Sequence, residues 1–103
     1  MFTKATAIKQ AKQFLIDCRK IPIKINKAVL FGSVIKGTSN EYSDVDIAIF
    51  SEDFTDNVLL NIDIIGRVNI HYPNLDVHTF PASAYKKNEM LIDEIKHYGL
   101  EIK

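Results

Sequence analysis

Leu30-Phe31-Gly32-Ser33, followed by Asp44-Val45-Asp46-Ile47-Ala48-Ile49-Phe50, decides the reading of this 103-residue chain. The run Ala28-Val29-Leu30-Phe31 is short, apolar and β-rich, and it stops at Gly32, so the Gly-Ser step falls where a buried strand ends. The run beginning at Asp44 predicts a second strand, and a side-chain period of two puts Asp44 and Asp46 on one face. Two adjacent carboxylates repel, an arrangement that persists mainly when a cation or a shared proton offsets the repulsion. A site of aspartates without a Cys/His cluster suits Mg²⁺, which takes oxygen ligands and is commonly held by one or two carboxylates together with substrate phosphates. The plainer alternative makes Asp44 a loop-end cap and Asp46 a solvated edge residue.

Gly32 favours the metal reading, because a residue without Cβ lets the backbone turn sharply and approach a ligand closely. Ser33 adds a hydroxyl and a backbone N–H. A helical turn over Val34-Ile35-Lys36 would aim unpaired amides at an anion, and Lys36 would add a positive charge unless it is simply an exposed loop lysine. The segment is not a P-loop: that pattern needs Lys after its second glycine, and Thr38 stands there. The polar stretch Gly37-Thr38-Ser39-Asn40-Glu41-Tyr42-Ser43 is rich in turn formers and predicts a loop that returns the second strand beside the first.

Leu30-Phe31-Gly32-Ser33, Lys36-Gly37 and Ser43-Asp44-Val45-Asp46-Ile47-Ala48 together resemble the signature of the DNA polymerase beta-like nucleotidyltransferase superfamily. In particular the chain resembles the small stand-alone minimal nucleotidyltransferases (MNT). The resemblance implies an α+β nucleotidyltransferase fold, a small mixed β-sheet with helices packed on one side. It also implies that Gly32 and Ser33, with Lys36, bind ATP or another nucleoside triphosphate, and that Asp44 and Asp46 hold Mg²⁺. Asp76, in the β-rich run Leu75-Asp76-Val77-His78-Thr79-Phe80 after the turn-like Tyr72-Pro73-Asn74, matches the family's third carboxylate. Asp44, Asp46 and Asp76 are thereby the implied catalytic and metal-binding set, serving two Mg²⁺ ions. Lys36 departs from the pattern, since relatives often carry Arg there; a lysine keeps the charge without the bidentate fork.

The resemblance also implies a partner. MNT proteins of this size are typically paired with a small helical HEPN protein and act as antitoxins by adenylylating a tyrosine of that ribonuclease toxin. Larger relatives carry an extra helical domain for the acceptor, so a chain ending just after the core is expected to find the acceptor half of its site on another protein. Two further readings stand beside this one. One is a nucleotidyltransferase of a small molecule such as an aminoglycoside, acting as a homodimer. The other is a module that masks a partner surface without chemistry.

Composition sets bounds. Length predicts one domain over 1–103, with 47% hydrophobic and 25% charged residues. The balance of 13 basic and 13 acidic residues argues against holding a DNA or RNA polymer by bulk charge, which needs a concentrated basic surface. Cys18 is the single cysteine, so no internal disulfide forms and a reducing cytoplasm fits. Met1-Phe2-Thr3-Lys4 opens no signal-like apolar region, and no run approaches the roughly 20 apolar residues of a membrane span.

Around the motifs, Ile8, Ala11, Phe14, Leu15 and Cys18 recur at helical spacing and predict an amphipathic helix from Thr3 to about Arg19, stopped by Pro22. Cys18 is expected to be a small core residue. A loop at 51–56 with Thr55 or Asp56 as cap should precede a helix from about Val58 to Val68, with Asp63 and Arg67 as a surface pair and Gly66 weakening its end. A last helix, about Asn88 to Tyr98, should carry Leu91, Ile92 and Ile95 inward and end at Gly99, before a short strand at Leu100-Glu101-Ile102. Of the histidines, His78 shares a strand face with Asp76 and is within reach of substrate, although packing or hydrogen bonding is its expected role. His71 and His97 are expected at helix ends in surface or dipole roles.

Overall fold

The computed structural model describes residues 3–37 and 44–103, so the expected loop segment Thr38–Ser43 and the first two residues lie outside the described residues. Helix α1 spans Lys4–Asp17 and continues as a 3₁₀ turn over Cys18–Lys20. Thr3 caps it by accepting a hydrogen bond from the Thr6 N–H at 3.1 Å. Its buried residues Ala7, Ala11 and Phe14, with Cys18 one turn on, trace one stripe of the helix. Cys18 is core, as expected, and burial pushes its thiol up to about 12.

Strand β1 (Lys27–Phe31) leads through Gly32 into the single-turn helix α2 (Ser33–Lys36), and β2 follows at Val45–Ser51. Helix α3 (Val58–Asn69), strand β3 (Leu75–Pro81), a 3₁₀ turn over Ala82–Lys86, helix α4 (Met90–Tyr98) and strand β4 (Leu100–Glu101) complete the chain. The four strands order as β3-β2-β1-β4. β1 is antiparallel to both β2 and β4, whereas β2 and β3 are parallel, so the sheet is mixed as expected. The central position of β2 explains its almost unbroken apolar run, since a strand covered on both faces does not alternate.

One face of the sheet presents Ala28, Leu30, Val45, Ile47 and Ile49 to a core shared with Ala7, Ala11 and Phe14 of α1 and Ile65 and Val68 of α3. This is the helical layer that was anticipated, and Val34 of α2 joins it. The opposite face is not bare. Val29, Phe31, Ala48 and Phe50 pack there against Ala84 and against Ile92 and Ile95 of α4, so the one-sided arrangement holds for α1 to α3 and α4 extends it. Two apolar stripes on the alternating positions of β1 and β2 make both layers necessary.

Several local expectations change. Asn57, rather than Thr55 or Asp56, caps α3, its side chain accepting from the N–H groups of Leu59 and Leu60. Thr55 Oγ1 is engaged by the Asn57 N–H at 3.1 Å, and the buried Asn61 side chain exchanges hydrogen bonds with the Thr55 backbone, which holds Thr55 outside the helix. Gly66 lies inside α3, which runs on to Asn69. Asp63 and Arg67 do not form one of the ion pairs found among the described residues. In α4, Ile92 and Ile95 are fully buried but Leu91 points outward. Gly99 ends α4 in an extended conformation (φ −78°), so close packing rather than a left-handed turn selects glycine there. Among the described residues no helix is long and apolar enough to cross a membrane.

Candidate active site

The register places the chemistry. Phe31, the last residue of β1, stands opposite Asp46, and Asp46 stands opposite Asp76 across the parallel β2–β3 pair. Alternation along β2 puts Asp46 on the side of Ala48 and Phe50, the face that α4 covers further along the strands. One pair on, Ala48 stands opposite His78. The small Ala48 side chain leaves room for the His78 ring, which packs on Phe31 with centroids 5.1 Å apart. Its Nε2 lies 3.2 Å from Asp46 Oδ1 and 3.4 Å from Asp76 Oδ2.

Asp46, Asp76 and His78 form a group whose ligand atoms all lie within 4.8 Å of one another. The two carboxylates differ in access: the Asp46 side chain is 27% exposed and that of Asp76 56%. Burial raises the Asp46 pKa above the usual carboxylate value; the His78 hydrogen bond and charge pull it down, and the Asp76 charge pushes it up again. A carboxylate kept in a half-buried place beside a second carboxylate gains most from a cation. The oxygen and imidazole donors gathered here fit a divalent metal.

Gly32 completes the inner wall. Its backbone has φ +85°, and a Cβ there would stand 2.2 Å from Asp46 Oδ2, so the turn and the carboxylate are built against each other. Ser33 begins α2, and Gly37 closes it in the left-handed conformation. The expected helical turn over Val34-Ile35-Lys36 is therefore present, with the Lys36 N–H donating to Gly32 O at 3.0 Å. Lys36 Nζ, the expected phosphate contact, is ion-paired with Glu94 of α4 and lies 5.1 Å from the Tyr98 ring centroid.

Of the three aspartates singled out in the sequence, Asp46 and Asp76 come together. Asp44 is exposed and lies outside their group. β2 begins only at Val45, whose N–H donates to Asn74 O at 2.9 Å, so strand alternation does not direct the Asp44 side chain. The sequence puts His78 on the Asp76 face, with packing or hydrogen bonding as its expected role. The structure brings it between the two carboxylates.

Comparison with known proteins bears on the family and the fold. The family profile described as "Nucleotidyltransferase domain" matches residues 8–102. A protein of Methanocaldococcus jannaschii, provisionally named a protein adenylyltransferase, is 32% identical over 83 residues, which cover 77% of this chain and 80% of the relative. Among solved structures, one from Sulfolobus solfataricus, provisionally described as a nucleotidyltransferase, superposes with a TM-score of 0.69 at 18% identity, covering 92% of this chain and 78% of the other. A toxin–antitoxin structure with AMP-PNP superposes with a TM-score of 0.62 at 23% identity, covering 91% of this chain and 70% of the other.

Proposed function

Because the chain belongs to the nucleotidyltransferase domain family, we propose that it moves AMP from ATP to a hydroxyl group of a partner protein. The single observation that carries this is the pairing of Asp46 with Asp76 beside the Gly32 turn. Two carboxylates at the end of a phosphate-binding turn are what an in-line transfer at a nucleotide α-phosphorus requires.

A divalent cation, Mg²⁺ as the family resemblance implies, would supply charge neutralisation on the triphosphate when bound. The chain's own groups do the rest. Gly32 and Ser33 present backbone N–H groups and a hydroxyl to the phosphates, and Lys36 exchanges its Glu94 partner for a phosphate oxygen. Asp44 and Asp46 would hold the cation. Asp76, the more exposed carboxylate, faces the acceptor and takes the hydroxyl proton as the oxygen attacks. One P–O bond forms at the α-phosphorus, the bond to the bridging oxygen breaks, and pyrophosphate leaves.

The acceptor we propose is a tyrosine of a HEPN-family toxin, with this chain as its antitoxin. The name of the M. jannaschii relative and the toxin–antitoxin neighbour support a protein acceptor. So does α3, which leaves Val58, Leu59, Leu60 and Ile62 exposed, an apolar surface that suits a protein partner. A cytoplasmic location accords with the buried free thiol of Cys18.

Intact-mass measurement of the co-expressed partner after incubation with each nucleoside triphosphate tests the proposal. The expected result is a gain of one or more AMP units from ATP, lost in Asp46→Asn and in Asp76→Asn. Undiminished transfer by either variant overturns the site assignment, and transfer to a small molecule alone overturns the partner.

A further inference from the structure

His78 has no place in the three-aspartate scheme, yet its Nε2 occupies the position from which one cation could be reached together with both carboxylates. Two ligands each about 2.1 Å from one ion stand about 3.0 Å apart at a right angle and about 3.4 Å apart at the tetrahedral angle. The separations of 3.2 Å to Asp46 and 3.4 Å to Asp76 fall in that interval. The ring packs on Phe31 and belongs to the residue directly opposite the small Ala48, so it reaches the carboxylates within the regular β2–β3 register.

We infer that His78 is a ligand of the ion shared by Asp46 and Asp76, making that position a mixed oxygen and nitrogen site that favours Co²⁺, Ni²⁺ or Zn²⁺ over Mg²⁺. The inference rests on the divalent-cation reading of the site and refines it. Carboxylate oxygen serves hard and borderline ions alike, whereas imidazole nitrogen adds affinity for the later first-row ions and little for Mg²⁺. The exposed Asp44, outside this group, leaves an oxygen-only position for Mg²⁺ on the triphosphate.

The test uses Co²⁺ as the probe, added to the protein with a non-hydrolysable ATP analogue, and reads binding rather than turnover. An imidazole bound through Nε2 keeps its Nδ1 proton, which high-spin Co²⁺ shifts far outside the ordinary proton NMR range. We expect one such resonance, exchangeable in D₂O, absent from His78→Asn and kept in a His71→Asn/His97→Asn double variant. Competition should show Co²⁺ affinity falling on the order of tenfold in His78→Asn while Mg²⁺ affinity is kept. Bound Co²⁺ without a shifted imidazole proton overturns the inference and leaves nucleotidyl transfer standing, as does an equal loss of both ions in His78→Asn. Failure of both ions to bind removes the cation reading itself. The native spectrum decides the matter even if His78→Asn does not fold.

Discussion

Gly32 and Asp46 are in steric apposition: the hydrogen of Gly32 is all that separates its backbone from the Asp46 carboxylate, since a Cβ would lie 2.2 Å from Oδ2. Gly32→Ala therefore meets two penalties, the clash and a φ of +85° that side chains rarely adopt. We expect a loss of about 1–3 kcal/mol of stability. Displacing Asp46 should also cost about a hundredfold in nucleotidyl transfer. Denaturant melts and transfer rates measure the two effects separately. Wild-type transfer by Gly32→Ala would mean that Asp46 is not held by this turn during the reaction.

Lys36 and Glu94 make a second coupled pair. Their contact is half-exposed, so it contributes about 0–1 kcal/mol. A triphosphate arriving at α2 competes with Glu94 for the lysine. Glu94→Gln removes the competitor and should lower KM for the nucleotide by up to about fivefold with kcat little changed. Lys36→Met should raise KM. Steady-state kinetics with varied nucleotide distinguishes them, and an unchanged KM in both variants would place Lys36 outside the phosphate site.

Asp46 was legible in the sequence because it lies inside a strand, where the period of two fixes the face of its side chain, and Asp76 because it matches the third carboxylate of the family the chain resembles. Register, a property of the sheet rather than of either strand, then set them directly opposite each other. Asp44 lies one residue before pairing starts, so the same periodicity carries no information there. His78 could be put on the correct face, but its approach to Asp46 depends on the parallel β2–β3 alignment and on Ala48 being small, neither visible in a linear chain. The apolar face under α4 was hidden for a different reason. β1 and β2 are buried on both sides, and their nearly unbroken apolar runs are the mark of that, but such a run does not identify which helix covers which face. The cap of α3 moved to Asn57 because Asn61, eighteen residues from its partner Thr79 but in contact with it at 3.2 Å, draws the preceding loop into a buried network.

Gly99 joins α4 to β4 where the chain passes over β1. A Cβ at this residue would stand 2.3 Å from Ile95 O and 2.4 Å from Val29 Cγ1, and the first of these is rigid backbone. Its φ of −78° is open to any residue, so Gly99→Ala isolates packing from conformational preference. We expect a destabilisation of about 3 kcal/mol from overpacking, with loss of the short β1–β4 pairing. Hydrogen exchange should report faster exchange at Ile102, whose N–H donates to Ala28 O at 2.9 Å, while the core amides of β2 stay protected. Wild-type protection at Ile102 in the variant would contradict this role.

Tyr72 and Asp17 tie the turn before β3 to the end of α1 by a hydrogen bond, with the Tyr72 ring set edge-on to Phe14 at 5.4 Å. Each partner shifts the other. The Tyr72 hydroxyl holds the Asp17 carboxyl below its ordinary value of 3.8, while burial, joined by the bond to Asp17, pushes the Tyr72 phenol from 10.0 up to about 12. A lowered carboxylate stabilises the fold above 3.8, and that contribution fades as pH falls through the depressed folded value. A raised phenol contributes fully below 10.0 and fades as pH rises through about 12. Tyr72→Phe keeps the ring contact and removes only the hydroxyl. Its melting temperature should lie below that of the unaltered protein by a constant margin between pH 3.8 and 10.0, with the margin closing at both ends. A margin independent of pH would show that the hydroxyl acts through packing rather than through its bond to Asp17.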